Sequence, residues 1–90
     1  MSIKVDIPYF FQYLADGVEV AEANGSTVGE CLEDLIKQFP NIKQLLFTKS
    51  GKLDMFRDIY VNGESIYPEG LAKPVQDGDE LYIAILVAGG

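Results

Sequence analysis

From Ile3 to Tyr9 the chain alternates, with Ile3, Val5 and Ile7 on one side and Lys4, Asp6 and Pro8 on the other. A period of two with one apolar side predicts a half-buried strand, and Pro8 suits its end. Asp16-Gly17 precedes a second alternating stretch, Val18 to Ala23, which Asn24-Gly25 terminates. The pair predicts an N-terminal hairpin with a long loop, Phe10 to Gly17. The pattern then changes to a helical period. Val28, Leu32, Leu35, Ile36 and Phe39 share one arc, Thr27 and Glu30 form a capping box before it, and Pro40 stops it. Ile42, Leu45, Leu46 and Phe47 predict a short helical turn that closes the core, followed by a loop at Ser50-Gly51. Phe56 to Val61 reads as a strand, Asn62-Gly63 as a two-residue hairpin turn and Glu64 to Ile66 as a short return strand. Pro68-Glu69-Gly70 and Asp77-Gly78-Asp79 are turns, and Glu80 to about Leu86 is the last strand.

The element order is therefore β-β-α-β-β-β, an α+β chain in which one main helix covers one face of a mixed sheet of about five strands. The long helical crossover allows the first and last strands to lie side by side and parallel at the centre of the sheet. Leu81, Ile83 and Ile85 then face the helix. Tyr82, Ala84 and Leu86 point the other way and are apolar too. With one helix of useful length, that second face lacks cover within the chain, so a docking surface is expected there.

Composition narrows the function. Ninety residues make one domain, and 48% apolar content with four prolines is globular. No basic segment leads into an apolar one at the start, so no leader is expected, and no run approaches the length of a membrane span. The single cysteine, Cys31, excludes an internal disulfide and a cysteine-based zinc site, which makes the cytoplasm the default compartment. It sits beside the apolar arc of the helix and reads as a small residue at the core edge rather than a sulfur relay. The net charge of −7 and the scattered lysines and arginines disfavour direct nucleic-acid binding. Acidity suits a basic protein partner or serves solubility alone. There is no histidine, so the commonest general base and any Ser-His or Cys-His nucleophile are absent, and no GxxxxGK[ST] loop is present for ATP. No independent catalytic site, resident cofactor or metal is expected. The acidic group Asp77, Asp79 and Glu80 reads as a turn, lacking the spaced ligands of a calcium loop. Phe10, Phe11, Tyr13 and Leu14 read either as an exposed binding patch or as a satellite cluster beneath the first loop, and the packed cluster is the expectation. Strand parity leaves open which face Phe56 and Tyr60 take.

The end of the chain carries the chemistry. The apolar stretch Leu81 to Ala88 runs into Gly89-Gly90. Paired glycines give a fold nothing, because glycine loses the most conformational freedom on ordering. They suit a carboxylate that must pass through a slot too narrow for side chains. Tyr60-Val-Asn-Gly-Glu64, Gly70-Leu-Ala-Lys-Pro-Val-Gln-Asp-Gly-Asp-Glu80 and the closing Val87-Ala-Gly-Gly90 resemble the MoaD/ThiS family of ubiquitin-like sulfur carriers, over nearly the whole chain and nearest to MoaD. The resemblance implies a β-grasp domain over 1–86 and an extended tail over 87–90. It implies that Gly90 is the attachment point, first as an acyl-adenylate and then as a thiocarboxylate, with Gly89 as the slim neck. Tyr82, Ala84, Leu86, Val87 and Ala88 would meet the partner. ATP and magnesium would belong to an E1-like adenylating enzyme of the MoeB/ThiF type. The acceptor would be the large subunit of molybdopterin synthase or another sulfur-accepting enzyme. Carriers for cysteine biosynthesis, thiamine or tRNA thiolation, and lysine-linked protein modifiers, use the same activation. Ile85 and Leu86 stand where several family members carry prolines, and the segment from Asn41 to Phe56 is longer than in the shortest members.

Overall fold

The computed structural model describes residues 2–85. Five strands and one long helix form it: β1 (Ser2–Asp6), β2 (Val20–Asn24), α1 (Val28–Gln38), the single-turn α2 (Lys43–Leu46), β3 (Arg57–Val61), β4 (Glu64–Ser65) and β5 (Glu80–Ile85). The sheet order is β2-β1-β5-β3-β4. β1 and β5 are the parallel pair, with Val5 opposite Leu81, and every other pairing is antiparallel. This is the β-grasp architecture expected from the sequence, with the first and last strands central.

The core forms between α1 and the inward side of the sheet. Ile3, Val5, Ala21, Ala23, Ile59, Val61, Leu81 and Ile83 meet Val28, Cys31, Leu32 and Leu35, and Ile42, Leu45 and Leu46 close one end. Each fully buried aliphatic side chain contributes about 1.5–3 kcal/mol. Cys31 is wholly buried, deeper than the core-edge position expected, because its place one residue before Leu32 turns it onto the sheet. Burial, then the charges of Asp34 and Glu30, raise its thiol pKa, leaving it protonated and unreactive at neutral pH.

The start of α1 departs slightly from the expected box. The Glu30 amide donates to Thr27 Oγ1 at 3.2 Å as predicted. The Glu30 carboxylate reaches one residue further back, accepting from the amide of Ser26 at 2.8 Å and its hydroxyl at 2.9 Å. At the other end Pro40 opens a short 3-10 turn, Pro40–Ile42, that leads into α2.

Several boundaries differ from the sequence reading: β1 starts at Ser2 and stops at Asp6, short of Tyr9, β3 starts at Arg57 and not Phe56, and β4 stops at Ser65 and not Ile66. β2 begins at Val20, since Val18 is held back in the turn, where its N–H donates a hydrogen bond to Ala15 O at 2.9 Å. The first loop is itself structured, as a 3-10 helix over Tyr9–Ala15. That helix has three residues per turn, so Phe11 and Leu14 point inward while Phe10 and Tyr13 share the opposite side. Phe11 and Leu14 pack as expected, but Phe10 and Tyr13 are 77% and 73% exposed, so the expected four-residue satellite cluster is only half formed.

Candidate functional site

β5 lies between β1 and β3, and its alternation sorts its side chains cleanly. Leu81 and Ile83 are buried against α1, Ala84 and Ile85 are half-buried, and Tyr82 is 57% exposed on the open face. Across the sheet, register aligns Val20, Asp6, Tyr82, Tyr60 and Ser65 in one row. Directly opposed residues point the same way, so Tyr60 belongs to the open face beside Tyr82. Phe56 stands just before β3 and is 44% exposed. Tyr82 and Ala84 thus lie on the open face of the sheet, in company with Tyr60 and Val20. Leu86, Val87, Ala88, Gly89 and Gly90 lie outside the described residues.

A shallow depression of about 480 Å³ opens on this face, lined by Asp6, Tyr60, Asn62, Gly63, Glu80 and Tyr82. Asp6 is its unusual member. Partial burial, a side-chain hydrogen bond with Glu80 and the charge of Glu80 raise its pKa to about 6, against the opposing pull of Lys4. The sequence offered one sign of it, since strand alternation put Asp6 outward. Its pairing with Glu80 depends on the parallel register of β1 and β5.

One end of β5 is locked by the Asp-Gly-Asp turn. Asp77 Oδ1 accepts from the Ser2 amide at 2.8 Å, and the Gly78 amide donates to Ser2 O at 3.0 Å. Asp79 Oδ2 accepts from the Gln76 amide at 2.8 Å and its Oδ1 from Asn62 Nδ2 at 2.9 Å. The Glu80 amide in turn donates to Asn62 Oδ1 at 3.0 Å. Both carboxylates are thus employed in the turn, as read from the sequence. Asn62 and Gly63 have φ of 51° and 87°, the left-handed pair that a tight hairpin requires.

The other end of β5 faces the start of β3, with Ile85 opposite Arg57. Arg57 gathers the surrounding segments. Its Nε donates to Leu45 O at 3.0 Å, its Nη1 to Phe56 O at 3.1 Å, and its guanidinium lies 5.5 Å from the Phe11 ring centre. The chain continues past Ile85 from this corner toward Gly90.

Comparison with known proteins gives this geometry a family. The ThiS family model matches residues 9–90. The sulfur carrier protein CysO of Mycobacterium tuberculosis is 37% identical over 93 residues, covering 100% of both chains. In the crystal structure of the Amycolatopsis orientalis BexX/CysO complex, a chain 37% identical superposes with a TM-score of 0.88, covering 98% of this chain and 99% of that one. The small archaeal modifier protein 1 of Methanosarcina acetivorans is 28% identical, with a TM-score of 0.84 and coverage of 99% and 96%. The chain belongs to the ThiS family, the ubiquitin-like sulfur carriers that its Gly-Gly motif resembles. Its relatives at 37% identity are carriers named CysO, whereas the sequence reading placed it nearest to MoaD. No helix among the described residues is long and apolar enough to cross a membrane.

Proposed function

We infer that Gly90 is the sulfur-bearing residue and that the acceptor lies in cysteine biosynthesis, not molybdopterin synthesis. A Gly90 carboxylate oxygen attacks the α-phosphorus of ATP in an E1-like partner, releasing pyrophosphate and forming an acyl-adenylate. A sulfide-level donor displaces AMP and leaves a thiocarboxylate. The thiocarboxylate sulfur then attacks an activated serine derivative, expelling its leaving group, and hydrolysis of the acyl adduct returns the carboxylate. The carrier supplies position and the partners supply catalysis. A cytoplasmic setting with a reducing pool fits a thiocarboxylate cargo.

The observation that carries the reading is the reach of the ThiS match to residue 90, so that the Gly-Gly motif falls inside the family frame. The branch rests on the CysO relatives, which favour the cysteine route over the molybdopterin synthase small subunit. Mass spectrometry of the intact protein after incubation with an E1-like enzyme, ATP and a sulfur source tests the first step. The expected product has one oxygen replaced by sulfur at Gly90, and an unchanged mass defeats the reading. The loaded protein is then offered separately to an activated serine derivative with its synthase and to a molybdopterin synthase large subunit. Sulfur is expected to leave only in the first case, and loss only in the second returns the protein to the molybdopterin branch. The likeness to an archaeal modifier protein favours one second reading, conjugation of Gly90 to lysine. High-mass adducts in cells that vanish on deleting Gly90 would establish it.

A further inference from the structure

The segment from Asn41 to Phe56 has no part in the chemistry at Gly90, yet it is the basic stretch of an acidic chain. Residues 35–53 hold Lys37, Lys43, Lys49 and Lys52, four of the seven basic residues, and none of the 14 acidic ones. None of the four is in an ion pair among the described residues, where the one such pair joins Lys73 to Glu69. These lysines border an apolar groove on the helix side of the sheet. Ile36 of α1, Phe47 and Leu71 form its floor, each half-buried, and Lys37 and Lys43 stand exposed at its rim. Its volume is about 520 Å³. A second basin of about 330 Å³ adjoins it, sharing Lys43 and Phe47 and continuing to Lys49. Backbone fixes the walls. Phe47 pairs with Leu53 in an antiparallel bridge, inside which the Thr48 amide donates to Lys52 O at 2.8 Å and the Gly51 amide to Thr48 O at 2.9 Å. Across the groove Gly29 lets Leu71 close on α1, since a Cβ there would lie 3.2 Å from Leu71 O.

We propose that this double groove binds an acidic peptide segment of a partner protein, anchored by apolar side chains. Charge complementarity selects the sign, because the unpaired lysines line a surface that every other part of the chain outweighs in acid. The floor of Ile36, Phe47 and Leu71 selects apolar anchors, for which a bare phosphate backbone has no counterpart. One basin alone would suit a small molecule. Two basins joined at Lys43 and Phe47, with lysines along both, suit an extended chain that carries several carboxylates. A second copy of this chain is the poorer occupant, because two bodies of net charge −7 repel. The groove lies on the helix side of the sheet, and Tyr60 and Tyr82 lie on the open face, so a bound segment leaves that face free. The segment acts as a tether and takes no part in a reaction step. The proposal does not depend on the role of Gly90.

A display library of random dodecapeptides, selected against the full chain, tests this without a guess at the partner. Enriched peptides are expected to carry Asp or Glu around Leu, Ile or Phe. Synthesised and measured by fluorescence anisotropy, they should bind the Lys37→Gln, Lys43→Gln double variant about fivefold more weakly than wild type. Ile36→Ser should weaken binding by a comparable factor through the lost apolar contact. Both variants should keep the wild-type Tm, and if Ile36→Ser does not, the lysine variant decides alone. Lys4→Gln removes a charge from the open face and should leave binding within about twofold of wild type. Amide NMR shifts should move at Lys37, Lys43, Phe47 and Leu71. No enrichment, enriched peptides without acidic residues, equal binding to the lysine variant, or shifts confined to the open face each overturn the proposal. Full displacement of the peptide by decanoate at the peptide's own concentration would give the groove to small amphiphiles. A dimer in sedimentation that the lysine substitutions dissociate would give it to a second copy. Either result also overturns the proposal.

Discussion

Asp6 shows how much a single residue's behaviour depends on register. Its carboxyl lies on the open face beside Glu80, and burial followed by that neighbour raises its pKa from 3.8 to about 6. Between those values the folded chain holds a proton that the unfolded chain has released. Stability therefore falls as pH rises from about 4 to about 6, and above that range the ionised Asp6 is a standing cost. Asp6→Asn keeps a group able to bond Glu80 and removes the charge. Allowing for solvent screening on a partly open face, the variant is expected to gain on the order of 1 kcal/mol at pH 7.5 and nothing at pH 4, read from urea unfolding at the two pH values. An equal gain at both would mean that the effect is not electrostatic. The sequence showed that Asp6 points outward. It could not show Glu80 beside it, because the contact joins residues 74 positions apart through a parallel pairing.

At the scale of elements, α1 and the first loop give opposite lessons. The apolar arc, the Thr27 cap and the Pro40 stop of α1 were all legible, since each is a local signal. Gly25 was legible only as a strand terminator, yet its role is steric. A Cβ at that position would lie 2.8 Å from Cys31 N and 2.8 Å from Glu30 Cβ, against the first turn of the helix. Gly25→Ala is expected to cost roughly 1–3 kcal/mol because backbone must shift. Thr27→Ala should cost about 1 kcal/mol through the lost cap. Thermal unfolding of the two variants checks this, and a Gly25→Ala protein as stable as wild type would show that the helix start can yield. Segment 9–15 reads as a loop in the sequence because seven residues are too few to separate a period of 3.0 from an irregular run. The same ambiguity hid the exposure of Phe10 and Tyr13, which share one side of that short helix while Phe11 and Leu14 take the other.

For the whole molecule, β5 is the element that links stability to function. Its packing partners come from β1, β3 and α1, and its register is fixed at one end while the chain leaves for Gly90 at the other. The topology followed from the order of elements and the crossover. The latch between Asn62 and Asp79 did not, since it joins two turns that only the folded sheet brings together. Lesions at the two ends should therefore separate cleanly. Asp79→Ala removes acceptors from the Gln76 amide and Asn62, and is expected to cost about 1 kcal/mol at neutral pH. Those two donors, the Gln76 amide first, hold the Asp79 pKa below its ordinary value, so the stability it adds is present above 3.8 and lost as pH falls through the lower, folded value. The deficit of the variant should shrink in acid accordingly. It should still accept sulfur at Gly90, because the opposite end of the strand is untouched. Removal of Gly89-Gly90 should do the reverse, leaving Tm at the wild-type value, since the buried core of the described residues is complete by Ile83, while abolishing adenylation. Unfolding curves and ATP–pyrophosphate exchange on both variants decide the matter. A tail deletion that also lowers Tm would mean that the glycines pack on the domain, and the division between a folded body and a cargo-bearing end would have to be abandoned.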